Sequence, residues 1–148
     1  MRFHFCFLIS ILLLVTNGSA APYTPASDNE VLERLPFKPG DPAIREIRAL
    51  RATLSRDPQN LDLAIRLAQQ YFGQATAQGD PRYVGYAQAA LKPWWDLPQP
   101  PTSVLLMRAT LLQYRHDFAG ALADLEQALK RDPAHVGAWS LRAVIHLA

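Results

Sequence analysis

The stretch TSVLLMRATLLQYRHDFAGALADLEQALKRDPAH, residues 102–135, decides the fold of this chain of 148 residues. It contains two runs in which apolar residues recur at intervals of three and four positions, with the polar sequence Arg-His-Asp at 115–117 between them. That spacing is typical of α-helices that bury one face. Pro133 follows the second run, at a place where proline ends a helix. The stretch therefore predicts two helices joined by a short turn.

Parts of this stretch recur elsewhere in the chain. Met-Arg-Ala at 107–109 returns as Leu-Arg-Ala at 141–143. We call the sequence separation between positions 107 and 141 the repeat interval. Arg-Asp-Pro at 131–133 likewise repeats the tripeptide at 56–58. Repetition at a period of about 20–50 residues is typical of stacked structural units. The sequence therefore predicts three units: 61–101 with a seven-residue insertion, 102–135, and an incomplete unit at 136–148.

These units resemble the tetratricopeptide repeat, a helix-turn-helix motif of about 34 residues. Along its first helix the family has a large residue, then a large and a small residue, then an aromatic one. The matching positions here are Ala64, Leu67, Ala68 and Tyr71; then Leu105, Arg108, Ala109 and Leu112; then Trp139, Arg142, Ala143 and His146. The second-helix pattern is matched in the middle unit by Phe118, Ala121, Leu125, Ala128 and Pro133.

The resemblance covers residues 41–148 and implies an all-α fold, with antiparallel helix pairs stacked as a short right-handed solenoid. The layout is also similar to that of bacterial exported proteins built mainly of such repeats, in which Gly-Tyr-Ala-Gln-Ala-Ala-Leu precedes Pro-Trp-Trp, here at 85–91 and 93–95. One departure is local. Trp94 stands where the second helix of the family's repeat has a small residue, and Pro93 breaks helical hydrogen bonding. We therefore expect the second helix of the first unit to end near Lys92.

The chain before the repeats has a different character. Residues 1–20 combine a basic start, an apolar run and small side chains before Ala20, the order of a secretory signal peptide cleaved after Ala20. The apolar run reaches about half of the ~20 residues that a bilayer-spanning helix needs. We therefore expect no stable transmembrane span after cleavage, and a periplasmic or secreted protein.

A proline-rich, extended leader is predicted at 21–41, before the repeat domain at 42–148. Asp41-Pro42 is typical of a helix start, with a capping carboxylate followed by proline at the first helical position. The apolar cluster of the leader either docks on that first helix or contacts a partner, and it consists of Val31, Leu32, Leu35 and Phe37.

Composition and motifs exclude several classes of protein. The 15 basic and 13 acidic residues leave a formal charge of +2, too balanced for a dedicated nucleic-acid binder. Cys6 is the single cysteine, so neither an intramolecular disulfide nor a cysteine zinc site can form. The sequence contains no metal-binding histidine pair, nucleophile elbow or clustered glycine loop. Its histidines have structural interpretations: His116 and His135 fall at predicted turns, and His146 falls at a packing position. We expect a noncatalytic protein without metal or cofactor.

Two acidic residues of the second helix, Asp124 and Glu126, are interpreted as solvated charges, with Lys130 in salt-bridge range of Glu126. The family resemblance instead places function on the concave surface formed by the first helices. It implies a scaffold that binds a protein or peptide segment there, through Asp62, Arg66, Gln69, Phe72, Leu106, Thr110, Gln113 and Tyr114, with Ile65 and Ser103 beside them.

An alternative function is binding of an envelope polysaccharide or an anionic surface. Trp94 and Trp95 are able to stack on a sugar, and a basic stripe opposite Ile44 and Ile47 is able to attract anions. Packing between units and a solvated helix face are the structural interpretations of the same residues. The stripe consists of Arg45, Arg48 and Arg51.

The last helix is apolar around most of its circumference. We expect the helix at 118–131 to cover one stripe, and the opposite stripe to remain exposed because no second helix follows. Such a face indicates either a truncated form of a longer repeat protein, or self-association or partner docking through 136–148. The stripe expected to be covered is Val136, Trp139, Ala143 and Leu147, and the other is Leu141, Val144, Ile145 and Ala148.

Overall fold

A computed structural model describes residues 23–27, 29–30 and 40–147. The chain divides into two compact units, Met1–Arg34 and Leu35–Ala148. The described residues hold helices and turns but no strand, which confirms the all-α prediction. The predicted signal peptide, most of the leader and its apolar cluster lie outside the described residues. The helices are α1 (Pro42–Leu54), α2 (Leu61–Gln78), α3 (Arg82–Ala90), α4 (Lys92–Trp95), α5 (Thr102–Tyr114), α6 (Phe118–Arg131) and α7 (Val136–His146).

The described part of the N-terminal unit forms a small turn. The Ala26 amide donates to the Glu30 carboxylate at 2.7 Å, and the Glu30 amide donates to the Ser27 carbonyl at 3.1 Å. Tyr23 is exposed.

Asp and Asn side chains cap the first turns of three helices. Asp41 accepts from the Ala43 amide at 2.8 Å and Pro42 takes the first position of α1, as the sequence predicts. Asn60 caps α2 and Asp117 caps α6, each by accepting from the amide three residues on. These bonds satisfy amides that have no partner within the helix.

The predicted end of a helix near Lys92 is confirmed. Helix α3 ends at Ala90, and Pro93 lies in the first turn of α4, where a missing amide costs no hydrogen bond. Leu91, at the break, is completely buried. Trp94 and Trp95 are half-buried and pack against the core that α1, α2, α3 and α5 form.

Two hydrophobic clusters stabilise the helical unit, and α5 contributes to both. Its residues Met107 and Leu111 belong to the first cluster, together with Leu67 of α2. Its residues Leu105 and Ala109 belong to the second, in which α6 and α7 supply the other members. Helix α5 is therefore covered on two opposite faces, which explains why its apolar residues show no single stripe.

Burial in α7 corrects the expected orientation of that helix. The stripe that we expected α6 to cover is exposed: Val136 is 76% and Leu147 is 88% exposed, and Trp139 lies at the surface. The residues that pack against α6 and α5 are instead Ala138 and Ile145, with Leu141. The apolar pattern identifies two faces of α7 but does not state which one its neighbours cover.

The repeat interval also relates burial in α5 to burial in α7. Val104, Met107 and Leu111 are buried, and their equivalents Ala138, Leu141 and Ile145 pack inward as well. On the other face, Leu105 and Ala109 are buried against α6, whereas their equivalents Trp139 and Ala143 are exposed. The difference arises because no described helix packs on that face of α7.

The prediction that Asp124 is a solvated charge is wrong. Its carboxylate receives two bonds from the Arg108 guanidinium, at 2.6 and 2.7 Å, and the side chains are only 8% and 18% exposed. The hydrogen bond to this carboxylate raises the pKa of Arg108. Arg108 also donates to the Trp95 carbonyl and lies over the Trp95 ring. The ion pair that the sequence did predict is confirmed, because Glu126 and Lys130 lie 2.7 Å apart at the surface.

Donors from α6 also hold the proline-rich connector before α5. Arg131 donates to the carbonyl of Pro100, which is buried, and Gln127 donates to the carbonyl of Pro98 at 3.4 Å. Proline has no amide with which to join a backbone ladder. The connector is therefore fixed through its carbonyl groups, by side chains of α5 and α6.

Replacing Gln74 by Met will raise the free energy of unfolding by about 1 kcal/mol, because it removes an unpaired buried atom. The buried Oε1 atom of Gln74 finds no hydrogen-bond donor among the described residues, and an unsatisfied buried polar atom costs roughly 1–3 kcal/mol. Urea denaturation followed by circular dichroism measures the change. Gln78→Met, at an exposed position of the same helix, is the control and should change stability little. Equal effects of the two substitutions would contradict a cost specific to Gln74.

Candidate functional site

A groove with a volume of about 440 Å³ runs across α2, α5 and α7. These are the helices that the sequence predicts to be the first of each unit. Three of the predicted binding residues, Gln69, Leu106 and Thr110, line it. The remaining lining residues are Ile65, Ser103, Met107, Gly137, Ser140, Leu141 and Val144. We refer to this feature as the groove.

The lining residues occupy equivalent positions of the repeat. Four lining residues of α5 are each separated by the repeat interval from a lining residue of α7. These pairs are Ser103 and Gly137, Leu106 and Ser140, Met107 and Leu141, and Thr110 and Val144. Ile65 and Gln69 of α2 correspond in the same way to Leu106 and Thr110, across the longer first unit. Positions that match under the predicted repeat therefore form the whole groove.

Five of the predicted residues lie outside the groove lining. Phe72 and Tyr114 pack against each other edge to face, with ring centroids 5.6 Å apart, and both contact the first hydrophobic cluster. Asp62 is exposed in the first turn of α2, Arg66 lies 3.9 Å from Glu46 of α1, and Gln113 is half-buried near the end of α5.

Sequence reasoning missed the contribution of α7. It assigned binding residues to the two complete units alone and left out Gly137, Ser140, Leu141 and Val144. The repeat interval was the signal that could have found them, because it maps each predicted or neighbouring residue of α5 on a residue of α7.

The groove is neutral and offers both polar and apolar groups. Among the described residues, no charged side chain lines it. Gln69, Ser103 and Ser140 are exposed and present amide and hydroxyl groups, whereas the Thr110 hydroxyl already donates to the Leu106 carbonyl at 2.9 Å. Such a surface suits hydrogen bonding to an uncharged backbone beside apolar side chains.

The residues of the alternative site are not brought together. The arginine stripe lies on α1 and the tryptophans lie on α4, and these two helices do not contact each other in the described structure. Arg48 and Arg51 line a separate cavity with Ile44 and Ile47, not a face opposite them. Arg45 donates to the Gly40 carbonyl at 2.8 Å.

The described histidines lie in turns and at the two ends of α7. His116 adopts φ 60° in the turn between α5 and α6, with its ring edge-on to Phe118. His135 caps α7 by accepting from the Ala138 amide at 3.3 Å. The prediction that His146 lies at a packing position is wrong: it is exposed in the last turn of α7, because no described helix packs on that face. Within residues 23–27, 29–30 and 40–147, no cluster of three potential metal ligands occurs.

Comparisons with known proteins give no relative. No family model matches the sequence, and no significant match was found among curated proteins or solved structures. Among the described helices, none has both the length and the apolar character needed to cross a membrane.

Proposed function

We propose that the chain is a tetratricopeptide-type repeat protein whose groove binds an extended segment of a protein partner without catalysis. The observation that carries the proposal is the repeat equivalence of the groove lining, in which Ile65, Leu106 and Ser140 share one position, and Gln69, Thr110 and Val144 share another. A surface repeated in this way presents similar contacts at regular intervals, as an extended peptide requires.

Helix neighbours support the solenoid arrangement. Helices α2 and α3, and α5 and α6, are paired, while α2 contacts α5 and α5 contacts α7. The first helices of successive units thus form one row, and the second helices pack behind them. A stack of this kind is what the sequence resemblance implies, with α7 as the first helix of the third unit.

Groove dimensions indicate how much of a partner it holds. Neighbouring helices pack about 8–10 Å apart, so three adjacent helices span about 20 Å. An extended chain advances about 3.3 Å per residue, and the groove therefore accommodates about six residues. Because no charged side chain of the described residues lines it, we expect an uncharged segment with small or apolar side chains.

We also propose that this binding takes place in the periplasm or outside the cell. The support is the order of charge, apolar run and small residues at 1–20, which is typical of a signal peptide.

Obstructing the groove will weaken binding. A photo-crosslinking amino acid at Ser103 first identifies the bound segment in the native envelope, and fluorescence polarisation then measures the affinity of that segment as a peptide. Gln69→Arg combined with Ser140→Arg should weaken binding at least tenfold, because two long cations enter a neutral groove from exposed positions that do not support the fold.

The matched control is Ala77→Arg combined with Ala123→Arg, which adds the same charge at exposed positions of α2 and α6 outside the groove. It should bind like the wild type. If both double variants bind the peptide equally well, or lose binding equally, the groove is not the binding site.

A further inference from the structure

A second cavity, with a volume of about 610 Å³, lies between α1, α2 and α3. Its apolar lining includes Ile44, Ile47 and Leu54 of α1 and Leu67 of α2. It shares no lining residue with the groove among the described residues. Its volume falls within the roughly 300–1,000 Å³ of small-molecule sites.

Three tyrosines form one wall of this cavity. Tyr71 lies 5.5 Å from Tyr86 and 6.1 Å from Tyr83, centroid to centroid, and Tyr83 meets Tyr86 edge to face at 5.8 Å. Each ring thus contacts the other two. The wall presents aromatic surface against which a flat apolar group can pack.

Two arginines of α1 line the same cavity. Arg48 and Arg51 are three residues apart and therefore project from one face of the helix. Both are exposed, and neither forms an ion pair with a described residue. No carboxylate is found among the described lining residues.

Neighbouring acids are already engaged with other partners. Glu46 of α1 lies 3.9 Å from Arg66, and Asp80 forms a 2.7 Å ion pair with Arg82. Burial raises the pKa of Tyr71, an effect that the nearby Arg51 opposes only in part. This phenol is therefore neutral near pH 7, and the two arginines set the charge of the cavity.

We propose that this cavity binds an organic carboxylate that carries a flat, apolar body. The carboxylate pairs with the guanidinium groups of Arg48 and Arg51, which match its geometry and form strong charge-assisted hydrogen bonds. The body lies against Tyr71, Tyr83 and Tyr86 and the aliphatic residues of α1. Such a site is independent of the peptide groove, in residues and in chemistry.

Calorimetric titration with 2-naphthoate tests the site, with neutral 2-naphthalenemethanol as the uncharged analogue. Wild-type protein should bind naphthoate at least tenfold more tightly than the alcohol. Arg48→Gln combined with Arg51→Gln should weaken naphthoate binding at least tenfold and leave binding of the alcohol unchanged, because only the charge-assisted bonds are lost. Tyr86→Ala should weaken binding of both compounds, since both lose the aromatic wall.

Arg45→Gln combined with Arg56→Gln removes the same net charge from exposed residues outside the cavity. This control should keep wild-type affinity within about twofold. The obstructed-groove variant, Gln69→Arg with Ser140→Arg, should also bind naphthoate normally. Absence of naphthoate binding at millimolar concentration, or equal losses in the two double arginine variants, would overturn the proposal.

Discussion

Replacing Asp124 by Asn will lower the free energy of unfolding by about 3 kcal/mol, the largest effect that we expect from a single substitution. The change removes the charge that faces the Arg108 guanidinium and leaves a largely buried cation without its counter-ion. Breaking a buried pair in this way typically costs about 3–5 kcal/mol. Urea denaturation, followed by circular dichroism at several wavelengths, measures the loss in the free energy of unfolding.

Two variants establish the cause. Glu126→Gln removes the exposed pair with Lys130 from the same helix and should cost less than about 1 kcal/mol. Arg108→Met combined with Asp124→Leu removes both buried charges and should recover more than half of the loss, because the desolvation cost disappears with them. Similar costs for Asp124→Asn and Glu126→Gln would show that burial of the pair is energetically unimportant.

A helix patterned on α6 and joined after residue 148 will make the protein more stable, by about 2 kcal/mol in the free energy of unfolding. The added helix covers Trp139 and Ala143, as α6 covers their equivalents Leu105 and Ala109. Fully burying a large apolar side chain contributes roughly 1.5–3 kcal/mol. Since about 1 kcal/mol shifts the melting temperature of a domain of about 100 residues by about 4 °C or more, we expect a rise of about 10 °C in a thermal melt.

The same face predicts self-association. Sedimentation across a hundredfold range of concentration should detect dimers or larger species of the unmodified chain, and the added helix should abolish them. A control helix in which serine and glutamate replace the apolar residues should change neither property. A chain that stays monomeric and gains no stability from the apolar helix would contradict this prediction.

Local sequence rules predicted the helix ends well, because the signals that begin and end a helix lie within a few residues of those ends. Asp41-Pro42 begins α1 and Pro93 separates α3 from α4, and each effect depends on a backbone amide within a few residues. The three-unit scheme similarly depends on periodicity that can be counted along the chain. The existence of the longer helices follows from such patterns, whereas the four-residue helix α4 was not predicted.

Features that depend on distant contacts were not predictable in the same way. Asp124 has the sequence neighbours of a surface residue, and its burial depends on Arg108, 16 positions away and on another helix. The orientation of α7 was reversed, because both of its faces are apolar and only packing selects one. The groove was found in part, since spacing located α2 and α5 but the equivalent face of α7 was left out.

The bonds that hold the connector before α5 affect how the molecule unfolds. In many repeat proteins each unit interacts only with its neighbours, and the ends open independently. Here side chains of the middle helix pair bind the carbonyls of Trp95, Pro98 and Pro100, which belong to the preceding segment. Opening α5 and α6 therefore breaks their bonds to the connector, and we expect the connector to unfold together with this helix pair.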